Sequence, residues 1–256
     1  MIDLLILAVV QGIAEFLPIS SSGHLVIIGG SMGELNESPT LEIILHAGTL
    51  GSILVVFWKR IVSLLTEDRR VLGLLVVGTL PAAIMGVAIK WMLPTLLRSP
   101  ALAGAMLLVT GGMLLILGRL RDREGNYQQL RWPAVLVVGC FQAIAILPGI
   151  SRSGSTILGG RLMGLKPEDS LTFSFLLAIP AILGATVLTA VELLSASRSG
   201  ETVSHNPTEL VIGAVISFAV GIVSLKWLMG WNREDRLHWF AAWCLPAGLA
   251  TLIGFS

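Results

Sequence analysis

Long runs of hydrophobic residues, separated by short polar segments, account for most of this chain. Six of these runs are about as long as the roughly 18–25 residues with which a helix crosses a bilayer, and we interpret each as a transmembrane helix. They are 41–58, 71–93, 101–117, 171–194, 210–229 and 237–255. The pattern therefore predicts an all-α integral membrane protein.

Two further apolar regions, 4–30 and 133–164, are interrupted near their centres by proline, serine and glycine. Non-helical backbone at membrane depth is tolerated only where protein or a water-filled cavity satisfies its polar groups. We therefore interpret both regions as re-entrant helix–loop–helix hairpins that enter and leave the membrane on the same side. The predicted fold has six transmembrane helices plus these two hairpins.

The two interrupted regions carry the same sequence pattern. Gln11 and Gln142 each precede a serine by nine positions, and the Ser-x-Ser-Gly segment at 20–23 recurs 131 positions later at 151–154. Each half of the chain then has one hairpin and three spans, an odd number, so the second half is inserted upside down. This predicts an inverted-topology internal repeat with halves at 1–120 and 133–256, joined by a cytoplasmic linker at 121–132.

Composition and charge agree with this topology. Hydrophobic residues make up 54% of the chain and charged residues 13%, against about 25% charged in a typical soluble domain. In the six-span topology, thirteen of the 17 Lys and Arg residues fall on one side and three on the other, with Arg152 inside the second hairpin. The positive-inside rule makes the richer side cytoplasmic. A net charge of +1 gives no reason to expect nucleic acid as a partner.

Charged side chains inside the interrupted regions are the first candidates for function. Gln11 and Glu15 are four residues apart and share one helix face. A carboxylate at bilayer depth costs roughly 2.5–3.5 kcal/mol on insertion scales, so Glu15 needs a partner or a function. Arg152 offers a planar fork of donors suited to phosphate or carboxylate. The pair is either a structural ion pair or part of a binding site, and both interpretations can hold together.

Hydroxyl side chains and one histidine gather at the same two breaks. Backbone N–H groups at the start of a half-helix, with adjacent hydroxyls, form an anion site. Capping alone explains one serine per break but not runs of three or four. His24, one glycine beyond the first run, lies near candidates for nucleophile and base. His46 either supports the residues of the site or makes a hydrogen bond between helices, and we favour the latter. The hydroxyl candidates are Ser20, Ser21, Ser22, Ser151, Ser153, Ser155 and Thr156.

The charge balance of such a site indicates a cofactor. A diphosphate monoester carries roughly −2 to −3 near neutral pH, whereas Arg152 supplies one positive charge and two half-helix N-termini about +0.5 each. Glu15 enlarges the deficit. A divalent cation, Mg²⁺ or Ca²⁺, held by Glu15 and phosphate oxygens would close it.

At these motifs the chain resembles the bacterial undecaprenyl-diphosphate phosphatase family, also called the bacitracin-resistance family. The matching segments are 11–24, 41–49, 148–156 and 173–180. The resemblance implies a phosphatase of the bacterial inner membrane that removes the terminal phosphate of undecaprenyl diphosphate for peptidoglycan synthesis, with its site open to the periplasm. The family's serine and histidine fall on Ser21 and His24 and its phosphate-binding arginine on Arg152, with Ser151, Ser153 and Thr156 beside it. In its acidic pattern this chain has Gln11 and Glu15, hence one carboxylate.

Our mechanistic hypothesis takes Ser21 as nucleophile, His24 as its base and Glu15 as metal ligand or orienting group. Attack by His24 itself fits the spacing nearly as well. The rival function is a lipid flippase or secondary transporter, because inverted repeats with broken helices also bind anions in transporters. Gln11, Ser20 and Ser22 are further candidate substrate contacts. The oligomeric state stays open, with a homodimer among the expectations.

Overall fold

The computed structural model describes residues 2–32, 39–198, 207–233 and 236–255, which fold into helices joined by short turns. Their bounds are α1 Ile2–Ala14, α2 Ser21–Met32, α3 Pro39–Val56, α4 Trp58–Thr66, α5 Arg69–Met92, α6 Pro100–Leu117, α7 Trp132–Ile144, α8 Arg152–Leu162, α9 Pro167–Arg198, α10 Pro207–Arg233 and α11 Ala241–Gly254. The prediction of an all-α fold is confirmed.

Five segments are long and apolar enough to cross a membrane, and a bent pair of helices makes a sixth. The five are α5, α6, α9, α10 and the segment Leu237–Gly254, which adds a short 3₁₀ helix to α11. They match five of the six predicted spans to within a few residues at most ends. The chain is therefore a multi-pass membrane protein, while the arrangement of six crossings and two re-entrant hairpins stays a prediction.

The first predicted span, 41–58, differs from the structure. Helix α3 ends at Val56, and the chain turns by 71° into α4. The sequence pattern did not predict a separate helix here. Along α4, Lys59 and Arg60 are exposed whereas Leu64 is buried. Helix α4 is therefore short and amphipathic, with one apolar face and one charged face, as helices at a membrane surface are.

Both interrupted regions are broken helices, as the sequence predicts. Helices α1 and α2 are separated by residues 15–20, and α7 and α8 by residues 145–151. In each pair the two helices contact one another. The breaks therefore place the N-termini of α2 and α8 within the body of the protein.

The helices of the two predicted halves pack on each other reciprocally. Helix α1 packs on α10, and α7 packs on α5. Glycines permit both contacts: a Cβ on Gly12 would lie 2.8 Å from Val220 Cβ, and one on Gly139 would lie 2.5 Å from the carbonyl oxygen of Gly78. Each hairpin thus rests on a helix of the other half, which is what a two-fold related pair of halves predicts. The boundaries of these halves remain a prediction.

The same reciprocity appears between α6 and α11, which pack along much of their length. A Cβ on Gly104 would lie 3.1 Å from the carbonyl oxygen of Gly248, and a Cβ on Gly248 would lie 2.7 Å from that of Gly104. Small residues at such a crossing let two helix backbones approach closely in a membrane protein. This contact fixes the helices that hold the two breaks.

Candidate active site

The two breaks have the same local hydrogen bonding. Ser20 Oγ accepts a hydrogen bond from the backbone N–H of Gly23 at 3.2 Å, and Ser151 Oγ accepts one from Gly154 at 3.1 Å. In both breaks this cap hydroxyl also lies within 3.4 Å of the hydroxyl two residues later. Each serine therefore caps the helix that follows it. The repeat in the sequence is thus also a repeat in geometry.

The two breaks interlock through glycine. A Cβ on Gly23 would lie 2.7 Å from Gly149 Cα, and one on Gly154 would lie 3.2 Å from Pro18 Cβ. The first turn of α2 therefore rests on the second break, and the first turn of α8 rests on the first. Gly149 has φ +95° and faces the carbonyl oxygen of Ala103, where a Cβ would come within 2.1 Å. No larger residue fits there without movement of the backbone.

Helices α6 and α11 hold the breaks in place. Thr110 Oγ1 donates to the carbonyl oxygen of Gly149 at 2.7 Å and accepts from the N–H of Ser151 at 3.0 Å. On the other side, Cys244 Sγ lies 3.7 Å from the carbonyl oxygen of Pro18. Backbone groups that the breaks leave without helical partners are thereby satisfied inside the protein.

Glu15 is the centre of the site, and its carboxylate is surrounded by donors. Ser21 Oγ donates to Oε2 at 2.7 Å and Gln11 Nε2 donates to the same oxygen at 3.2 Å. Arg152 Nη2 donates to Oε1 at 2.8 Å. The Glu15 side chain is 6% exposed and that of Arg152 is 16% exposed, so this is a buried ion pair between the two breaks. The predicted pairing and the shared face of Gln11 and Glu15 are confirmed.

His46 adds a contact of a different kind from the one expected. Its Nδ1 is hydrogen bonded to the carbonyl oxygen of Glu42 in its own helix at 2.8 Å, so this nitrogen carries a hydrogen. Its Nε2 lies 3.7 Å from Glu15 Oε2. The expected hydrogen bond between helices is therefore replaced by an approach to the central carboxylate.

Residues of α9 position Arg152, and their role was not predicted from the sequence. Arg152 Nη1 donates to the carbonyl oxygen of Ser174 at 3.4 Å, and the guanidinium carbon lies 5.5 Å from the centre of the Phe175 ring. Phe175 is fully buried and packs against Phe16 and Phe57. In the sequence, the only signal for these residues was that segment 173–180 resembles the family.

A small cavity of about 30 Å³ lies where the N-termini of α2 and α8 meet. It is lined by Ala14, Glu15, Ser20, Ser21, Ser22, Ala145, Ile150, Ser151 and Arg152. Ser20 adopts φ +70°, a left-handed conformation that is costly for serine and is often found at functional sites. Two helix N-termini, four hydroxyl groups and one guanidinium thus converge on a space the size of a water molecule. Their arrangement suits an anion.

His24 lies outside this cavity. The indole N–H of Trp243 donates to His24 Nε2 at 2.9 Å, and the two rings stack. His24 Nδ1 therefore carries the hydrogen and donates to the carbonyl oxygen of Ser20 at 2.8 Å. Ser21 directs its hydroxyl to Glu15 instead. Ser21 therefore contacts Glu15 and not His24 in this structure, and the hypothesis that His24 is the base for Ser21 stays a prediction.

Ser153 and Thr156 are hydrogen bonded within the protein in this structure, and their predicted contact with substrate stays a prediction. Ser153 Oγ lies 3.4 Å from the carbonyl oxygen of Leu17 in the first break. Thr156 Oγ1 donates to the carbonyl oxygen of Arg152 at 2.8 Å and is hydrogen bonded to Ser174 Oγ. These hydroxyls hold α8 against the first break and α9, and so orient Arg152 indirectly.

The residues around Glu15 meet part of the requirement for a divalent cation. Across the described residues, no group of three or more His, Cys, Asp or Glu side chains is placed to hold a metal ion. Glu15 supplies a carboxylate, and Gln11 Oε1 is buried without a hydrogen-bond partner in the described part of the chain. Hard oxygen ligands of this kind suit Mg²⁺ or Ca²⁺ when substrate phosphates complete the shell.

Comparison with known proteins agrees with this geometry. The family described as bacitracin resistance protein BacA matches residues 4–250. An undecaprenyl-diphosphatase of Rhodopirellula baltica is 68% identical over 99% of this chain and 97% of its own length. Undecaprenyl-diphosphatases of Desulfatibacillum aliphaticivorans and Methanosphaera stadtmanae are 37% and 36% identical, over 98% and 99% of this chain and 98% of their own lengths. The chain therefore belongs to the bacitracin resistance protein BacA family.

Proposed function

We propose that this chain is an undecaprenyl-diphosphatase, which hydrolyses undecaprenyl diphosphate to undecaprenyl phosphate and inorganic phosphate. Two relatives that match this chain over 97% and 98% of their own lengths carry that name. The observation that carries the proposal is the chain of contacts Ser21–Glu15–Arg152, with distances of 2.7 and 2.8 Å, at the meeting point of two helix N-termini. These contacts support the assignment of Ser21 as nucleophile, Glu15 as base and Arg152 as phosphate ligand.

Arg152 and the two helix N-termini hold the diphosphate. The guanidinium group can donate to two phosphate oxygens at once, and the backbone N–H groups that begin α2 and α8 favour negative charge. Phosphoryl transfer depends on positioning and on stabilising charge spread over the phosphoryl oxygens. Arg152 donates to Glu15 in this structure, so it exchanges part of that contact for the phosphate when the diphosphate binds.

Glu15 and Ser21 carry out the chemical step. The Ser21 hydroxyl gives its proton to Glu15 while its oxygen forms a bond to the terminal phosphorus, and the bond from that phosphorus to the bridging oxygen breaks. The lipid leaves as the monophosphate. Water then attacks the phosphoserine, the serine oxygen recovers the proton from Glu15, and inorganic phosphate departs with both hydrogens of the water.

Glu15 and Gln11 are the residues that would hold a Mg²⁺ or Ca²⁺ ion. A bound divalent cation would neutralise phosphate charge and polarise the phosphoryl oxygens. Support comes from the orphaned Gln11 Oε1 beside a carboxylate that accepts several donors. The hydrogen bonds from His24 to the Ser20 carbonyl oxygen and from Trp243 to His24 support a role for both residues in holding the strained turn.

The proposal places the protein in the bacterial inner membrane, with the site open to the periplasm and the arginine-rich linker in the cytoplasm. The charge asymmetry of the loops supports this orientation. Exposed apolar side chains on the long helices support contact with membrane lipids, among them Ile84, Val87, Val187 and Val223. A homodimer stays a prediction, which the molar mass of the purified protein in detergent would test.

The test is phosphate release from an isoprenoid diphosphate by purified protein in detergent, with Mg²⁺, with Ca²⁺ and with a chelator. We expect release that Glu15→Ala and Arg152→Ala both abolish. Asp169→Ala is the matched control, because Asp169 is also a buried carboxylate with a basic partner, Lys166 at 3.0 Å, away from the site. This variant should keep its activity.

The same assay distinguishes hydrolysis from transport. A flippase needs two compartments, whereas hydrolysis proceeds in micelles. Folded wild-type protein that binds the lipid diphosphate but releases no phosphate would contradict the proposal and favour the flippase. The names of the relatives and the hydrogen bond from Ser21 to Glu15 favour hydrolysis.

A further inference from the structure

A second cavity, of about 310 Å³, lies at the opposite end of α8 from the candidate active site. Its walls are Arg119, Leu120, Arg121, Arg123, Arg161 and Leu162. Residue 161 is nine positions along the helix from Arg152, which corresponds to about 13 Å at 1.5 Å per residue. The cavity is therefore separate from the Glu15–Arg152 site and about ten times larger.

The cavity has a strong excess of positive charge. Four of its six lining residues are arginines, and Arg161 among them is only 4% exposed. Arg161 Nη2 donates to Asp122 Oδ1 at 2.9 Å, and the Asp122 side chain is 68% exposed. Asp122 is thus paired with one of the four guanidinium groups that line the cavity. Guanidinium groups prefer planar, bidentate contacts with phosphate or carboxylate oxygens.

The backbone around the cavity is built to a fixed geometry. Gly125 N–H donates to the carbonyl oxygen of Gly164 at 3.2 Å, and Lys166 N–H donates to that of Gly125 at 2.9 Å. This bridge joins the segment that carries Arg121 and Arg123 to the turn that follows α8. A Cβ on Gly164 would lie 3.8 Å from Arg123 Nη1, so this arginine lies over the turn. Arg123 is therefore held next to this bridge.

The surroundings combine charge with apolar surface. Helix α6 ends at Leu117, two residues before Arg119. Leu115 and Ile116 in its last turn and Leu162 beside the cavity are each at least 40% exposed. Basic pockets at the ends of membrane helices, with apolar side chains next to them, suit lipid headgroups.

The general excess of positive charge on this side of the protein does not account for these features. The positive-inside rule explains why loops carry Lys and Arg. It does not explain a buried arginine in the wall of a cavity or a backbone bridge that fixes its neighbours. Lys59, Arg60 and Arg69 are exposed positive residues of the same predicted side that line neither of the two cavities.

We propose that this arginine cavity binds a phosphate-bearing anion at the membrane surface, either the headgroup of an anionic phospholipid or a free phosphate. The phosphate oxygens contact Arg119, Arg121 and Arg123. Asp122 competes with the ligand by holding Arg161. The site is independent of the proposed hydrolysis, because the two cavities share no lining residue.

The experiment is a native mass spectrometry titration of the detergent-purified protein with dioleoyl phosphatidylglycerol and with dioleoyl phosphatidylcholine. The test variant is R119Q/R121Q/R123Q, and the control K59Q/R60Q/R69Q removes the same charge elsewhere. We expect the wild-type protein and the control to bind phosphatidylglycerol at least about tenfold more tightly than phosphatidylcholine, and the test variant to lose that preference. Asp122→Asn should tighten binding several-fold.

Competition separates the two ligand sources. If about 10 mM inorganic phosphate displaces phosphatidylglycerol from the wild-type protein, the cavity accepts free phosphate; if it does not, the cavity requires the lipid. The proposal is overturned if the test variant keeps the preference, or if the control variant loses it to the same extent. Isoprenoid diphosphate hydrolysis, expected in all three proteins, shows that the variants are folded.

Discussion

The buried pair of Glu15 and Arg152 makes a double-mutant cycle the sharpest test of the site. Glu15→Gln and Arg152→Met each remove one charge and leave the other buried, at 16% and 6% exposure of the remaining side chain. Removing one partner of a buried pair costs about 3–5 kcal/mol, whereas replacing both is often nearly neutral. We expect Arg152→Met to lie at the upper end of this range, because it leaves the less exposed charge.

The double variant should be within about 1 kcal/mol of the wild type in its free energy of unfolding, so single losses of about 3–5 kcal/mol each imply a coupling of at least about 5 kcal/mol. The measurement is unfolding in mixed micelles, followed by tryptophan fluorescence. The pair Lys166–Asp169 is the control, since it is a partly exposed i,i+3 pair that should couple by less than about 1 kcal/mol.

In the same cycle the expected effect on activity differs from the expected effect on stability. All three site variants should lose at least about 10²- to 10³-fold in kcat/KM, because oriented charge at the phosphoryl group is absent in each. Additive losses of stability would show that the two side chains are not coupled. Near-normal phosphate release by Arg152→Met would refute its role as phosphate ligand.

Three further predictions concern the neighbouring residues. Ser21→Ala should lower kcat/KM by at least about 10³-fold in the same phosphate-release assay, and His24→Ala should lower it by about 10- to 100-fold. Equal losses in the two variants would favour His24 as the nucleophile. Trp243→Phe keeps a ring but removes the donor to His24, so its kcat/KM should fall less than that of His24→Ala, and a larger fall would mean that the indole has another role. Gly23→Ala should destabilise by about 1–3 kcal/mol through contact with backbone, whereas Gly154→Ala, facing a side-chain carbon at 3.2 Å, should stay within about 1 kcal/mol; unfolding midpoints that reverse this order would contradict the interlocked breaks.

The sequence repeat predicted the framework of the site because each copy of the pattern is a short segment of the chain. The spacing of Gln11, Glu15 and Ser20 is visible in the printed chain, and so is its partial copy at 142–154. Helical periodicity then places Gln11 beside Glu15, and serine before glycine at a break predicts a cap. The pairing of Glu15 with Arg152 followed because each is a charge that needs a partner at membrane depth.

The contacts of His24 could not be obtained in this way. Its partner Trp243 is 219 positions further along the chain, inside an apolar run where a tryptophan has no distinguishing neighbours. Without that contact, proximity in sequence suggested that His24 faces Ser21. The tautomer and direction of an imidazole depend on its hydrogen-bond partners, and these are set by packing of α11.

The bend after α3 was missed for a related reason. The apolar run continues through Val56 and Phe57 to Trp58, before Lys59 and Arg60, and it contains no proline or glycine at the turn. Hydropathy measures the preference of a segment for an apolar environment, and it does not indicate the direction of the helix axis. The 71° change is selected by the charged and apolar faces of α4 and by the helices beside it.

The reciprocal packing of α1 on α10 and of α7 on α5 has a consequence for biosynthesis. During translation the first hairpin is complete long before α10, which begins at Pro207 and supplies the surface on which α1 rests. Glu15 also lacks Arg152 until the second hairpin has been made. The active site therefore comes into being only when the two halves meet, late in synthesis and by an assembly step between them. Two separately expressed halves, divided in the linker, should be inert alone and regain phosphatase activity when produced together in one membrane.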